Sequence, residues 1–220
     1  MNEAELRKDV VAAYQELGRE GMNKGASGNV SARLGLHMLI TPSGIPSALM
    51  EPDQVAKLRI DDDTGAYEGP CKPSSEWRFH RDILRSRPDA GAVVHAHAPF
   101  STILAIMRKP IPAIHYMMAA FGTTEIKVAD YETYGTPALS TAVIKAMEGA
   151  NGCLMANHGM VVAGPNLTRT MWLAGEIELL ANQYYHSLLA GTPHILSDAE
   201  IHETAKSFEN YGPQEVEKNA

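Results

Sequence analysis

The sequence predicts a two- or three-layer α/β domain built on a mixed or antiparallel sheet. Short apolar strands alternate with amphipathic helical segments along the chain, and an early pair of strands, residues 30–33 and 37–40, is joined by a turn rather than a crossover helix. At 220 residues, with 45% apolar and 20% charged side chains, the chain is long enough to bury a sizeable core without staples. Residues 1–220 are expected to form a single domain, ending in a charged tail that is mobile from about residue 212.

Leu6, Val10, Tyr14 and Leu17 recur at helical spacing, so the first segment is an amphipathic helix ending near Gly18 or Gly21. Small, turn-forming residues then lead into the first strand, and the second delivers the chain to Thr41-Pro42-Ser43-Gly44. Glycine-containing turns beside strand ends can bring N–H groups and hydroxyls close to an anion, or can simply connect a hairpin. Residues 51–54 read as a helical turn, 55–60 as a strand and 61–65 as an exposed turn. Its aspartates lack the alternate spacing and twelfth-position glutamate of a calcium loop.

Pro73-Ser74-Ser75-Glu76 reads as a helix start capped by Ser74 or Ser75, with the helix stopping before Pro88. Negative charge is favoured at such a terminus, so the serines could hold a phosphate beside Glu76, or Glu76 could merely complement the dipole. Val93-Val94-His95-Ala96-His97 is an apolar strand that presents two imidazoles on one face. A helix over 100–108 and an apolar stretch over 111–118 follow, the latter carrying His115 and Tyr116. Tyr131 and Tyr134 lie in a loop before a helix at 137–148. His158 sits in a tight connection between a buried strand at residues 151–156 and a second at 160–163, well placed to reach another strand's edge. A long helix through Leu173 and Leu188 and a short one over 199–208 complete the chain.

The formal charge of −7 argues against binding nucleic acid or an anionic membrane through the overall field. Cys71 and Cys153 are too few for a zinc ribbon, the N-terminus is unlike a signal peptide, and no apolar run reaches membrane-spanning length. A cytoplasmic location is expected.

Gly28-Asn29-Val30-Ser31, Thr41-Pro42-Ser43-Gly44, Pro73-Ser74-Ser75-Glu76-Trp77-Arg78-Phe79-His80, Val94-His95-Ala96-His97 and Asn157-His158-Gly159 stand in the order and spacing of the class II aldolase/adducin family, which the chain resembles over nearly its whole length. The resemblance implies a class II aldolase-like fold, a central mixed or antiparallel sheet with helices on both faces. It implies a zinc ion, or another divalent metal such as Mn2+ or Co2+, held by His95, His97 and His158 with Glu76 near or in the fourth position. Gly28, Asn29, Ser43, Gly44, Ser74 and Ser75 match the family's phosphate pocket.

On the same resemblance, a ketose 1-phosphate, with L-fuculose 1-phosphate expected, is cleaved to dihydroxyacetone phosphate and an aldehyde such as L-lactaldehyde through a metal-stabilised enediolate. Glu76 would shuttle the proton, Tyr116 would serve the aldehyde oxygen and Tyr134 would line the aldehyde pocket. In the relatives the catalytic tyrosine arrives from a neighbouring subunit, so a homotetramer of C4 symmetry with shared active sites is implied. Asn157 stands where some relatives carry a second histidine, and Tyr134 where they carry a phenylalanine. His37, His80, His115, His186, His194 and His202 have no motif support as ligands, and surface or packing roles are expected of most. The family also hosts decarboxylation of 3-oxo acids, sugar-phosphate epimerisation and dehydration, and a non-catalytic scaffold shares the fold, so these readings stay open.

Overall fold

The computed structural model describes residues 2–208. The tail expected to be mobile from about residue 212 lies outside them. Along the chain run α1 (Glu3–Arg19), β1 (Asn29–Leu34), β2 (His37–Ile40), β3 (Ala56–Arg59), β4 (Tyr67–Glu68), α2 (Trp77–Ser86), β5 (Ala92–Ala96) and α3 (Pro99–Ile106). Then come β6 (Ile111–Pro112), β7 (Glu125–Ile126), β8 (Val128–Ala129), α4 (Pro137–Ala146), β9 (Gly152–Met155), β10 (Gly159–Gly164), α5 (Leu167–Ala190) and α6 (Asp198–Ser207).

Eight strands form one sheet in the order β4-β3-β2-β1-β5-β10-β9-β8. Neighbours are antiparallel from β4 through to β9, and only the edge pair β8–β9 is parallel. Because side chains alternate across a strand, each face of the sheet carries its own core. Val30, Ala32, Val94, Ala96 and Val162 pack with α1, α3 and α5. Met38, Ile40, Leu58, Val93, Cys153 and Val161 pack with Phe79, Ile83 and Leu84 of α2 and Leu139 and Val143 of α4. The result is the expected mixed sheet with helices on both faces.

The register then decides where polar side chains meet. Asn29 pairs with His95 and Ser31 with Val93 across β1–β5, while Val161 pairs with His95 across β10–β5. Asn29, Ser31 and His95 therefore share the face that α2 covers, in the middle of the sheet, where both flanks of β5 are hydrogen-bonded and the backbone is stiffest.

Several local expectations are corrected. β5 ends at Ala96, so His97 lies one residue beyond the strand, in a position open to solvent. Neither Ser74 nor Ser75 caps α2: the cap residue is Glu76, and no side chain closes the first turn. The expected serine cap fails because the Ser74 hydroxyl is drawn to the Asn29 amide at 3.0 Å and to the Glu76 N–H at 3.3 Å. The helix expected over 100–108 is Pro99–Ile106, and the one expected over 137–148 stops at Ala146. The two-residue strands β4, β6, β7 and β8 carry too little periodicity to be read from sequence. Among the described residues, no helix is long and apolar enough to cross a membrane. Cys153 is buried and Cys71 partly exposed, and both are free thiols.

Ile83 is fully buried between α2 and the sheet. Ile83→Ala is expected to cost about 2–5 kcal/mol of stability, read by urea unfolding; a loss under about 1 kcal/mol would show that α2 is not held by this contact.

Candidate active site

Four side chains converge where α2 meets the centre of the sheet. His95, His97 and His158 offer ligand atoms within 4.8 Å of one another. His95 Nε2 lies 3.1 Å from His97 Nε2 and 3.2 Å from Glu76 Oε2, and His158 Nε2 lies 3.2 Å from Glu76 Oε1. The fold delivers each by a different route. His95 is the last inward residue of β5, and its Nδ1–H donates to the Met160 carbonyl at 2.8 Å on β10, which fixes the ring and leaves the Nε2 lone pair facing the cluster.

His97 is held just past the strand, its backbone N–H donating to Asn23 Oδ1 at 3.1 Å. His158 rides the tight β9–β10 turn. There Asn157 takes a left-handed conformation (φ 55°) that asparagine tolerates better than most residues. Gly159 follows because a Cβ at that position would stand 2.4 Å from the Ala96 carbonyl oxygen.

The electrostatics are those of a buried, mutually neutralising group. Burial opposes ionisation of Glu76, but the imidazoles of His95 and His158 and the amide of Asn29 at 2.9 Å outweigh it and hold the carboxyl far below the usual carboxylate range. Burial likewise opposes charge on His95, yet Glu76 and the Met160 carbonyl raise its pKa. Desolvation and the neighbouring His95 push His97 and His158 down to about 4, so both are neutral and able to ligate at physiological pH. Glu76 Oε1 is buried with no hydrogen-bond donor among the described residues. An acceptor oxygen in that state, beside three imidazoles, fits a divalent cation. The nitrogen-rich donor set suits zinc, with Mn2+ or Co2+ as other candidates.

The cluster opens into a pocket of roughly 340 Å³, lined among others by Gly28, Asn29, Ser43, Gly44, Ser74, Ser75, Glu76, His97, Tyr134 and His158. Three loops are strapped together to form it. Ser43 N–H donates to the Lys72 carbonyl at 3.1 Å and Ser74 N–H to the Thr41 carbonyl at 3.0 Å, while Val30 N–H donates to Thr41 Oγ1 at 3.2 Å. Gly28 has φ 69°, and a Cβ there would lie 2.2 Å from the Asn23 amide that holds His97. Among the described residues, no lysine or arginine lines the pocket.

A family model described as the class II aldolase and adducin N-terminal domain matches residues 8–185. The chain belongs to the class II aldolase and adducin family. It is 46% identical over 207 residues to a 5-methylthioribulose-1-phosphate/5-deoxyribulose-1-phosphate aldolase of Rhodospirillum rubrum, covering 94% of this chain and 92% of that protein. It is 41% identical to an L-fuculose phosphate aldolase of Escherichia coli, covering 96% and 98% respectively. A solved L-fuculose 1-phosphate aldolase superposes with a TM-score of 0.89 at 35% identity, over 93% of this chain and 96% of that one. These relatives are aldolases, in agreement with the aldehyde-lyase class expected for this family member.

Of the residues singled out in the sequence, Tyr116 alone stands apart. It begins a short 3-10 segment, is 45% exposed, packs its ring on His115 and near Phe208, and does not line the pocket of its own chain. Sequence reasoning missed four polar residues. His80, grouped with the histidines for most of which a surface or packing role was expected, is fully buried and donates from Nε2 to Asn29 Oδ1. Ser31 lies 2.8 Å from its Nδ1. Asn23 holds the His97 backbone, and Glu132 lines the pocket mouth beside Tyr131. The available signal for His80 was its place one turn after Glu76 on the same helix.

Metal analysis of the purified chain is expected to find one divalent ion per chain. His97→Ala is expected to weaken zinc binding more than about 10-fold; unaltered affinity would remove His97 from the ligand set.

Proposed function

We propose that this class II aldolase cleaves a ketose 1-phosphate reversibly between C3 and C4, releasing dihydroxyacetone phosphate and a short aldehyde. The observation that carries this reading is the convergence of Glu76 with His95, His97 and His158 at the floor of a pocket built from Gly28, Asn29, Ser43, Gly44, Ser74 and Ser75. His95, His97, His158 and Glu76 would hold a zinc ion, whose chemistry there is that of a Lewis acid for the charge released onto the oxygens of the ketose half.

The remaining work falls to the protein. Glycine turns and serine hydroxyls bind the phosphate and orient the ketose, which suits a chain of net charge −7 with no lysine or arginine among the described residues lining the pocket. Asn29 keeps Glu76 Oε2 engaged at 2.9 Å, so Oε1 is the oxygen that moves the proton. In cleavage it returns a proton to the carbon next to the ketose carbonyl; in condensation it removes one. Tyr116 would serve the aldehyde oxygen from a neighbouring subunit of a homotetramer, a role supported by its exposure and its separation from its own chain's pocket. Two free thiols agree with a cytoplasmic location.

The relatives' names divide the choice of aldehyde. Cleavage of L-fuculose 1-phosphate leaves lactaldehyde, whereas a 5-deoxyribulose or 5-methylthioribulose 1-phosphate leaves a two-carbon aldehyde bearing hydrogen or a methylthio group. The 46% identity to an aldolase named for the latter pair favours including them beside L-fuculose 1-phosphate. All share the phosphate and carbonyl end, so discrimination falls to Tyr131, Glu132 and Tyr134 at the pocket mouth.

A panel of these ketose 1-phosphates, assayed for dihydroxyacetone phosphate, is expected to show release from at least one. Silence from all, with carbon dioxide evolved from a 3-oxo acid, would establish the decarboxylase reading instead. Glu76→Gln is expected to retain metal while losing about 10²–10⁴-fold in kcat; undiminished turnover would take Glu76 out of proton transfer.

A further inference from the structure

We propose that His80 is a positioning residue for Glu76, acting through the amide of Asn29. The carboxylate of Glu76 can only accept, so the Asn29 atom 2.9 Å from Oε2 is Nδ2, and its second hydrogen goes to Ser74 Oγ at 3.0 Å. Asn29 Oδ1 is left facing His80 Nε2, which must donate to it. His80 Nδ1 then accepts from Ser31 Oγ at 2.8 Å. Burial pushes the His80 pKa down to about 3, which keeps the ring neutral and makes this tautomer the one that satisfies every partner.

The chain is closed to water: Ser31 and His80 are 0% exposed, Asn29 3% and Glu76 7%. This matters because an asparagine amide has nearly the same shape in both orientations. Turned over, Oδ1 would face the carboxylate, acceptor against acceptor, and Glu76 would lose the amide donor at Oε2. The His80 N–H removes that choice. β1 supplies Asn29 and Ser31 from one face, while Glu76 and His80, four residues apart, share one face of α2, so the helix and the strand are locked in the relation that aims Glu76 Oε1 at His158 and the pocket.

The kinetic part of this inference rests on the aldolase reading; the ligand-field part does not. The full chain is loaded with cobalt(II), and the visible absorption of the wild type is compared with His80→Met, which fills the volume without a donor, and His80→Gln, which keeps one. His80→Met is expected to bind cobalt with an altered spectrum, and His80→Gln to restore the wild-type bands. In dihydroxyacetone phosphate release, His80→Met is expected to lower kcat about 10-fold or more while KM changes far less, with recovery in His80→Gln.

Should His80→Met not fold, Ser31→Ala removes only the hydroxyl that selects the tautomer, and the same spectral change, smaller in size, is expected. A cobalt spectrum unaltered by His80→Met, or by Ser31→Ala where His80→Met does not fold, overturns the proposal, as does an altered spectrum that His80→Gln leaves unrestored. A wild-type protein that releases no dihydroxyacetone phosphate would defeat the aldolase reading alone, because the spectral comparison still decides the role of His80.

Discussion

A carboxylate is expensive to bury, and the molecule is arranged around burying one. Glu76 is 7% exposed at the end of a helix, against the centre of an eight-stranded sheet. Removing a carboxylate from water costs several kcal/mol unless opposite charge and hydrogen bonds replace the solvent. Asn29 donates to Oε2 at 2.9 Å while His95 and His158 stand 3.2 Å from the two carboxylate oxygens, and each comes from a separate part of the chain. Their strands are adjacent in the sheet: Asn29 opens β1, His95 closes the inward face of β5, and β10 leaves the turn that bears His158. The order β1-β5-β10 thus brings together the three side chains that flank Glu76. A cation held there would add to this balance, since three imidazoles and a carboxylate carry more lone pairs than donors.

How much of this was legible depended on whether a residue's role was local or arose from pairing. The alternation in β1, β2 and β5, the helical spacing of Leu6 through Leu17 and the turn before Gly159 are local, and they appear where the spacing predicted them. The His95/His97 pair was visible for the same reason, although the strand releases His97 one residue early. The cap of α2 was misread because serine's preference for that position gave way to a tertiary demand, the hydroxyl of Ser74 being claimed by Asn29 across 45 residues of chain. His80, Ser31 and Asn23 were invisible because their partners lie 49 to 74 residues away and are set by strand register, which single-sequence periodicity does not encode. The motif order that identified the family already contained His80, but as one letter in a string rather than as a hydrogen-bond donor.

The same distinction separates the two ends of the pocket. At the end proposed to hold the phosphate, the loops are tied to one another by backbone hydrogen bonds, Thr41 with Ser74 and Ser43 with Lys72, so their geometry is a property of the fold. The family's reactions can share that end unchanged. At the other end Tyr134 and Tyr131 are 66% and 56% exposed on a loop whose anchor is the close approach of Gly135, at φ 74°, to the Ser75 carbonyl. Large exposed rings on such a loop carry little of the core's stability, and substitutions there leave Glu76 and the imidazoles in place. On the proposed reading, aldehyde preference can therefore change among relatives without touching Glu76. This is why 46% identity to one named aldolase and 41% to another select the carbon–carbon cleavage they have in common more strongly than either aldehyde.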